Sequence, residues 1–326
     1  MKSFTLACLI LMFFFPLVAY AQGSRLNVVA TTTQAADLVR ILGGDKVEVI
    51  GLMGGGVDPH LYQFTESDVA AMSNADVVVY SGVHLEGRIS EVLAEVERRA
   101  PVYALGTPIE EQGYLLVSQG KADVPDPHFW FDPRNWQLAT EGLVEFLVKI
   151  DPAHADTYTA NGEAFIQQLD LLYAWGVEAM SLVPENQRVL VTSHDAFQYF
   201  GDAFGWEVRG LQGISTEDEA GVGDIQALVS FIVENQIPTM FVESSVPPDT
   251  IEAVQQGASA RGWEVSIGGE LYSDAMGEVG TFGGTYIGMI NENIVLIVNA
   301  FGYGDQLPEW PAELPHPDEF AQAQAE

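Results

Sequence analysis

Leu26-Asn27-Val28-Val29-Ala30-Thr31-Thr32-Thr33-Gln34-Ala35 opens one half of the chain, and Arg188-Val189-Leu190-Val191-Thr192-Ser193-His194-Asp195-Ala196 opens the other. Each starts with a short apolar run rich in β-branched residues, which reads as a buried strand. A helical stretch follows in both halves, from Gln34 to Leu42 and up to Phe204. Gly43-Gly44 and Gly205 end these helices, and second strands follow at Val47 to Leu52 and Trp206 to Leu211. Thr31 and Thr192 stand 161 residues apart, and Ala35 and Ala196 keep that offset. The order continues with a helix over 67–74 and a strand over 76–80, against a helix over 224–234 and a strand over 239–242. Strand–helix alternation is the signature of a parallel α/β sheet. The expected fold is therefore α/β, with two similar lobes, each a parallel sheet flanked by helices.

Between the halves, Phe165, Leu169, Leu172 and Tyr173 fall at helical spacing. Pro152 fits an early helical position behind Asp151 as cap, and Pro184 is a stop. One helix of about 30 residues would span about 45 Å and join the lobes as a stiff rod. Gly162 and Gly176 weaken such a helix, so two shorter helices with a kink near Gly176 are the alternative. The expected organisation is 22–150 for the first lobe, 151–184 for the connecting helix and 185–326 for the second lobe.

The chain of 326 residues begins with a segment outside both lobes. Lys2, an apolar run from Phe4 to about Val18 and Ala19-Tyr20-Ala21 have the parts of a secretory signal peptide over residues 1–21. Cys8, the one cysteine, lies inside that apolar run. A lipid-anchored precursor needs a cysteine just after the run, so the expectation is a soluble, periplasmic mature chain without a lipid anchor, disulfide or thiol nucleophile. No later stretch reaches the length of a membrane span.

Lys and Arg number 13 against 46 Asp and Glu, for a net charge of −33. Such a field repels phosphate backbones and anionic lipids, which argues against nucleic-acid binding. An acidic surface also serves solubility, so cation capture has to be argued from particular residues.

Three of the six histidines sit in shaped loops. His60 ends Gly54-Gly55-Gly56-Val57-Asp58-Pro59-His60; His128 lies in Asp126-Pro127-His128-Phe129-Trp130-Phe131-Asp132-Pro133; His194 follows the strand that opens the second half. Asp274 lies in Gly268-Gly269-Glu270-Leu271-Tyr272-Ser273-Asp274, read as the loop after a strand over 263–267. Parallel sheets place ligands at the C-terminal ends of their strands. Three imidazoles and a carboxylate can saturate a transition metal, whereas calcium and magnesium prefer oxygen shells. Their spacings of 68, 66 and 80 residues form no compact motif, and for any one histidine alone a hydrogen-bonded structural role is the better reading. Glu243, at the end of a strand, is either an acceptor behind the site or an alternative oxygen ligand. His84 either faces the cleft or is satisfied within its own loop. His154 and His316 read as surface residues, and Phe129 and Trp130 as wall and core. Walker, H-E-x-x-H and G-x-S-x-G motifs are absent.

Taken together, the Gly56-to-Tyr62, Asp76-to-Glu86, Asp126-to-Pro133, Thr192-to-Phe200, Phe241-to-Ser245 and Gly268-to-Gly277 segments resemble the zinc and manganese branch of the solute-binding proteins of ABC importers. The resemblance covers nearly the whole chain beyond the signal. It implies two α/β lobes joined by one long helix, one divalent metal held between them, and delivery to a membrane permease. It places the metal ligands at His60, His128, His194 and Asp274, with one Zn²⁺ or Mn²⁺ per monomeric chain. Manganese-selective members often have glutamate at the third ligand, where this chain has His194. Many zinc members have a histidine-rich loop before the second ligand, and residues 111–127 here contain no histidine. Equilibrium affinity for a nitrogen-rich site favours zinc. The other functions open to such a sequence are a periplasmic metal-dependent hydrolase, which needs an open metal position and a general base, and a metal-binding surface adhesin.

Overall fold

The structure is a computed structural model that describes residues 25–117 and 124–323. The expected signal peptide and Cys8 lie outside the described residues.

The first sheet has four parallel strands. β1 (Leu26–Ala30) pairs with β2 (Val47–Gly51) on one side and β3 (Val77–Tyr80) on the other, and β4 (Val102–Ala104) adds to β3. Val28, Val77, Val78 and Val79 are inaccessible, as expected for strands covered on both faces. Helices α1 (Thr33–Gly43), α2 (Glu66–Asn74), α3 (Ile89–Val96) and α4 (Thr107–Glu111) alternate with these strands. Thr32 caps α1 by accepting from the Ala35 N–H, and Thr65 with Asp68 forms a capping box on α2. α5 (Pro133–Ile150) follows, capped by the Asp132 side chain.

In the second lobe β5 (Val189–Thr192) pairs with β6 (Glu207–Gly210), and β7 (Thr239–Glu243) pairs with β8 (Ser266–Leu271), both in parallel. β5 and β7 lie side by side. The spatial order β6-β5-β7-β8 thus repeats the β2-β1-β3-β4 order of the first lobe, although its two ladders stay separate. Helices α7 (Gln198–Phe204), α8 (Val222–Asn235), α9 (Asp249–Ser259), α10 (Tyr286–Ala300) and α11 (Pro317–Ala323) complete this half. No described helix is long and apolar enough to cross a membrane.

The connector is one unbroken helix, α6 (Ala155–Met180), preceded by a 3-10 turn over Pro152–His154. Its 26 residues span about 39 Å. Both glycines lie inside it without breaking it, because each lets a neighbouring helix approach. A Cβ on Gly162 would collide with Val144 of α5, and one on Gly176 with Phe204 and Ile294. Asp151 takes the Tyr158 hydroxyl at 2.6 Å and His154 Nδ1 at 2.7 Å instead of capping the helix. His154, read as a surface residue, is therefore partly buried and held by an acid.

The core is continuous across the lobes. Leu38 and Leu42 of α1, Phe165, Leu169 and Leu172 of α6, Phe200 of α7 and Ile290 and Ile294 of α10 belong to one apolar cluster. Smaller clusters lie under α8 and α9 and under α2 and α3.

One strand differs from the sequence reading. β8 begins at Ser266, not Trp263, and runs through Gly268 and Gly269 to Leu271. Trp263 is drawn aside by its indole N–H, which donates to the Ile237 carbonyl. Gly268 leaves room for Phe241, Thr239 and Ala300, and Gly269 takes φ +137° at a register irregularity opposite Met240 and Val242. The glycine pair is a strand irregularity here and not a strand end.

Candidate metal centre

Four loops deliver His60, His128, His194 and Asp274 to one point between the lobes. His60 comes from the β2–α2 connection, His128 from the segment before α5, His194 from just beyond β5, and Asp274 from just beyond β8. One potential ligand atom from each lies within 4.8 Å of all the others, and all four residues are buried. Asp274 Oδ2 is 3.2 Å from His194 Nε2 and 3.5 Å from His60 Nε2, and Oδ1 is 3.3 Å from His128 Nε2. Yet neither Asp274 oxygen, nor His194 Nε2, makes an aligned hydrogen bond. Buried polar atoms are ordinarily paired. These atoms converge on a common point instead of on one another, as donors to a shared cation would.

The loops are set by a recurring device. Asp58-Pro59-His60 and Asp126-Pro127-His128 are the same tripeptide. In each, the aspartate Oδ1 accepts the histidine backbone N–H two residues on, at 2.8 and 2.9 Å. The intervening proline fixes its own φ and makes this short turn rigid. The two carboxylates then diverge. Asp126 Oδ1 also accepts His128 Nδ1 at 2.7 Å, whereas Asp58 Oδ2 accepts the Thr216 hydroxyl of the other lobe at 2.5 Å. Sequence reasoning did not single out Asp126, although the repeated tripeptide was a usable signal.

Glu243 does for His194 what Asp126 does for His128. It accepts the His194 backbone N–H at 2.8 Å and Nδ1 at 2.5 Å. Carboxylates on Nδ1 fix the tautomer that leaves Nε2 as the inward donor and raise its basicity. Glu243 therefore stands behind His194 and outside the converging set. His84 is exposed, at φ +64° in its own turn, and does not join the four. Trp130 packs edge-on at 5.3 Å from His128 and walls the site.

Burial, helped by the charges of His128 and His194, holds His60 down to about 3 against the pull of Asp274. Burial also opposes charge on His128, but Asp126 and Asp274 outweigh it and raise His128 to about 9. At His194 the same desolvation is overcome by Glu243 and Asp274, and the imidazole is held well above its ordinary value. Asp274 is likewise buried, yet His194 and His128 hold it well below the usual carboxylate range.

With this geometry in view, the chain can be set beside known proteins. The family described as "Zinc-uptake complex component A periplasmic" matches residues 28–300. The chain belongs to this family. It is 44% identical over 276 residues to the manganese-binding lipoprotein MntA of Bacillus subtilis, covering 85% of this chain and 90% of that protein. It is 43% identical over 282 residues to the zinc-binding protein TroA of Treponema pallidum, covering 86% and 90%. The solved structure of that periplasmic zinc-binding protein superposes with a TM-score of 0.82, covering 85% of this chain and 99% of the other. Members of the family are periplasmic solute-binding transport proteins and not enzymes, so a hydrolase reading falls away.

Proposed function

We propose that this chain captures one divalent transition-metal ion per molecule outside the cytoplasm and hands it to the permease of an ABC importer. His60 and His128 supply ligands from the first lobe, and His194 and Asp274 from the second. The convergence of three Nε2 atoms and one carboxylate within 4.8 Å carries this reading. Family membership supports the transport role. The ion is cargo: three neutral imidazoles and one carboxylate bind it, and the Nδ1 protons stay on the Asp126 and Glu243 sides. We assign residues 1–21 to a signal peptide cleaved after Ala21, and a monomer whose lobes are bounded at 22–150 and 185–326 around the connector 151–184. The cargo is zinc or manganese. Zinc is the tighter equilibrium ligand of the two for a nitrogen-rich set. MntA binds manganese and TroA zinc by their names, and both relatives support a transition metal here.

The test is metal analysis of the mature protein after incubation with Zn²⁺ and Mn²⁺ separately and removal of excess. About one ion per chain is expected. His194→Ala and Asp274→Ala should each leave the fold intact and weaken binding strongly in a competition titration. Wild-type affinity in either variant would remove that residue from the ligand set.

A further inference from the structure

The Thr31-Thr32-Thr33-Gln34 stretch at the start of α1 is accounted for only in part by helix capping. Thr33 and Gln34 belong to the first lobe, yet their side chains reach the loop of the second lobe that carries Asp274. Gln34 Nε2 donates to the backbone carbonyl of Asp274 itself at 3.0 Å and approaches that of Ser273 at 3.5 Å. Thr33 Oγ1 accepts the Met276 N–H at 2.9 Å and donates to Gln34 Oε1 at 3.0 Å. These bonds close a ring. Met276 donates to Thr33, Thr33 orients the Gln34 amide, and the amide holds Asp274. The ring is dry: Gln34 and Met276 are 1% exposed and Ser273 is inaccessible. One turn along the same helix, Asp37 Oδ2 accepts the Tyr286 N–H at the start of α10.

The loop between β8 and α10 is irregular around Asp274; its internal bonds run from Gly277 to Thr285, and Asn293 holds Tyr272, on either side of Asp274. Ser244 and Ser245 of the second lobe hold Ser273 and Ala275. Among the described residues, only Gln34 is bonded to the Asp274 carbonyl. We infer that Thr33 and Gln34 form a cross-lobe clamp that positions the Asp274 carboxylate on the metal, so that Gln34 is a positioning residue for metal retention. This inference rests on Asp274 being a ligand. A carboxylate swings with its own peptide plane, and small misplacement at a metal site costs affinity. Partners behind metal ligands are commonly worth about 10–100-fold in binding. The clamp acts on the backbone of one ligand, so the lower figure applies.

The experiment compares Gln34→Ala with Asp274→Ala and with Asn161→Ala. Asn161 donates to the Leu42 carbonyl at the far end of α1 and is remote from the site. Each full-length mature variant is titrated with Zn²⁺ against a competing chelator. The Co²⁺-loaded form is read by its d–d absorption, which reports the ligand geometry. Expected for Gln34→Ala are about tenfold weaker zinc binding and altered d–d bands, with metal-free melting matching that of Asn161→Ala. Wild-type affinity overturns the clamp. So does weaker binding with an unchanged d–d spectrum, or an equal loss in Asn161→Ala. Wild-type affinity in Asp274→Ala instead removes the ligand assignment beneath it.

Discussion

The carboxylate of Glu243 grips His194 twice, taking the backbone N–H at 2.8 Å and the ring Nδ1 at 2.5 Å. One side chain thereby fixes both the place and the tautomer of His194. Glu243→Gln keeps an acceptor but removes the charge that makes His194 a strong donor. Metal affinity should fall by about 10–100-fold, and Asp126→Asn should do the same through His128. Competition titration checks both. Unchanged affinity in both would mean that the outer carboxylates only hold the loops.

Protons compete with metal at this site, and the sign follows from the imidazoles. His128, held up to about 9, and His194, held well above its ordinary value, are protonated in the metal-free protein at neutral pH. Loading the ion must release protons, so affinity should rise with pH across the neutral range. The same groups stabilise the metal-free fold fully below about 6.5, their unfolded value. That stabilisation declines as pH rises above 6.5 and is lost beyond about 9 for His128. His60 works the other way. It stays neutral down to about 3, so acid below 6.5 weakens the fold. The rise in melting temperature on saturation with Zn²⁺ should therefore be larger at pH 9 than at pH 6.5. A constant or shrinking increment would contradict this.

The buried carboxylate of Asp37 lies between α1 and α10, and burial raises it to about 6 despite the Tyr286 N–H and nearby Arg40. A raised carboxylate penalises the fold when ionised. The penalty is present above about 6, diminishes as pH falls and is gone below the unfolded value near 3.8. Asp37→Asn keeps an oxygen for the Tyr286 N–H and removes the charge. It should stabilise the protein by on the order of 1–3 kcal/mol at pH 8 and by nothing measurable near pH 4. Chemical denaturation at the two pH values gives the comparison. A destabilised variant at pH 8 would show that the ionised form is the one the helix start requires.

Much of this was legible because strands and helices announce themselves by periodicity. β1, α1 and β5 stand where apolar patterning puts them. The four converging residues stand in proline- and glycine-shaped loops that were legible as such, and the resemblance to a family joined them. What stayed hidden depends on contacts across long separations. Trp263 leaves the strand for the Ile237 carbonyl, and Gly268 is a glycine because Phe241 and Ala300 press on it. Gln34 meets Asp274 across 240 residues. No local pattern encodes such a meeting. Asp126 was the missed local signal, since Asp-Pro-His occurs twice and both copies make the same backbone turn.

The shared core limits how the lobes can respond to the ion. α6 is packed by α1 and α5 from one side and by α7 and α10 from the other, within a single apolar cluster. Opening the cleft widely would pull α1 away from α10, and Phe165 of α6 away from Tyr286 of α10. Exposing even about 400 Å² of such surface costs about 10 kcal/mol. At about 1.4 kcal/mol per tenfold this is about seven decades in an equilibrium constant, so the metal-free protein barely populates so wide an opening. The response should be confined to the ligand loops and a small rocking of the lobes. Hydrogen exchange should show the backbone of α6 equally protected with and without Zn²⁺. The loops around His60 and Asp274 should gain protection on loading, with a near-constant radius of gyration in small-angle scattering. Fast exchange along α6 in the metal-free protein, or a clear expansion, would replace this picture with a hinge that breaks the helix.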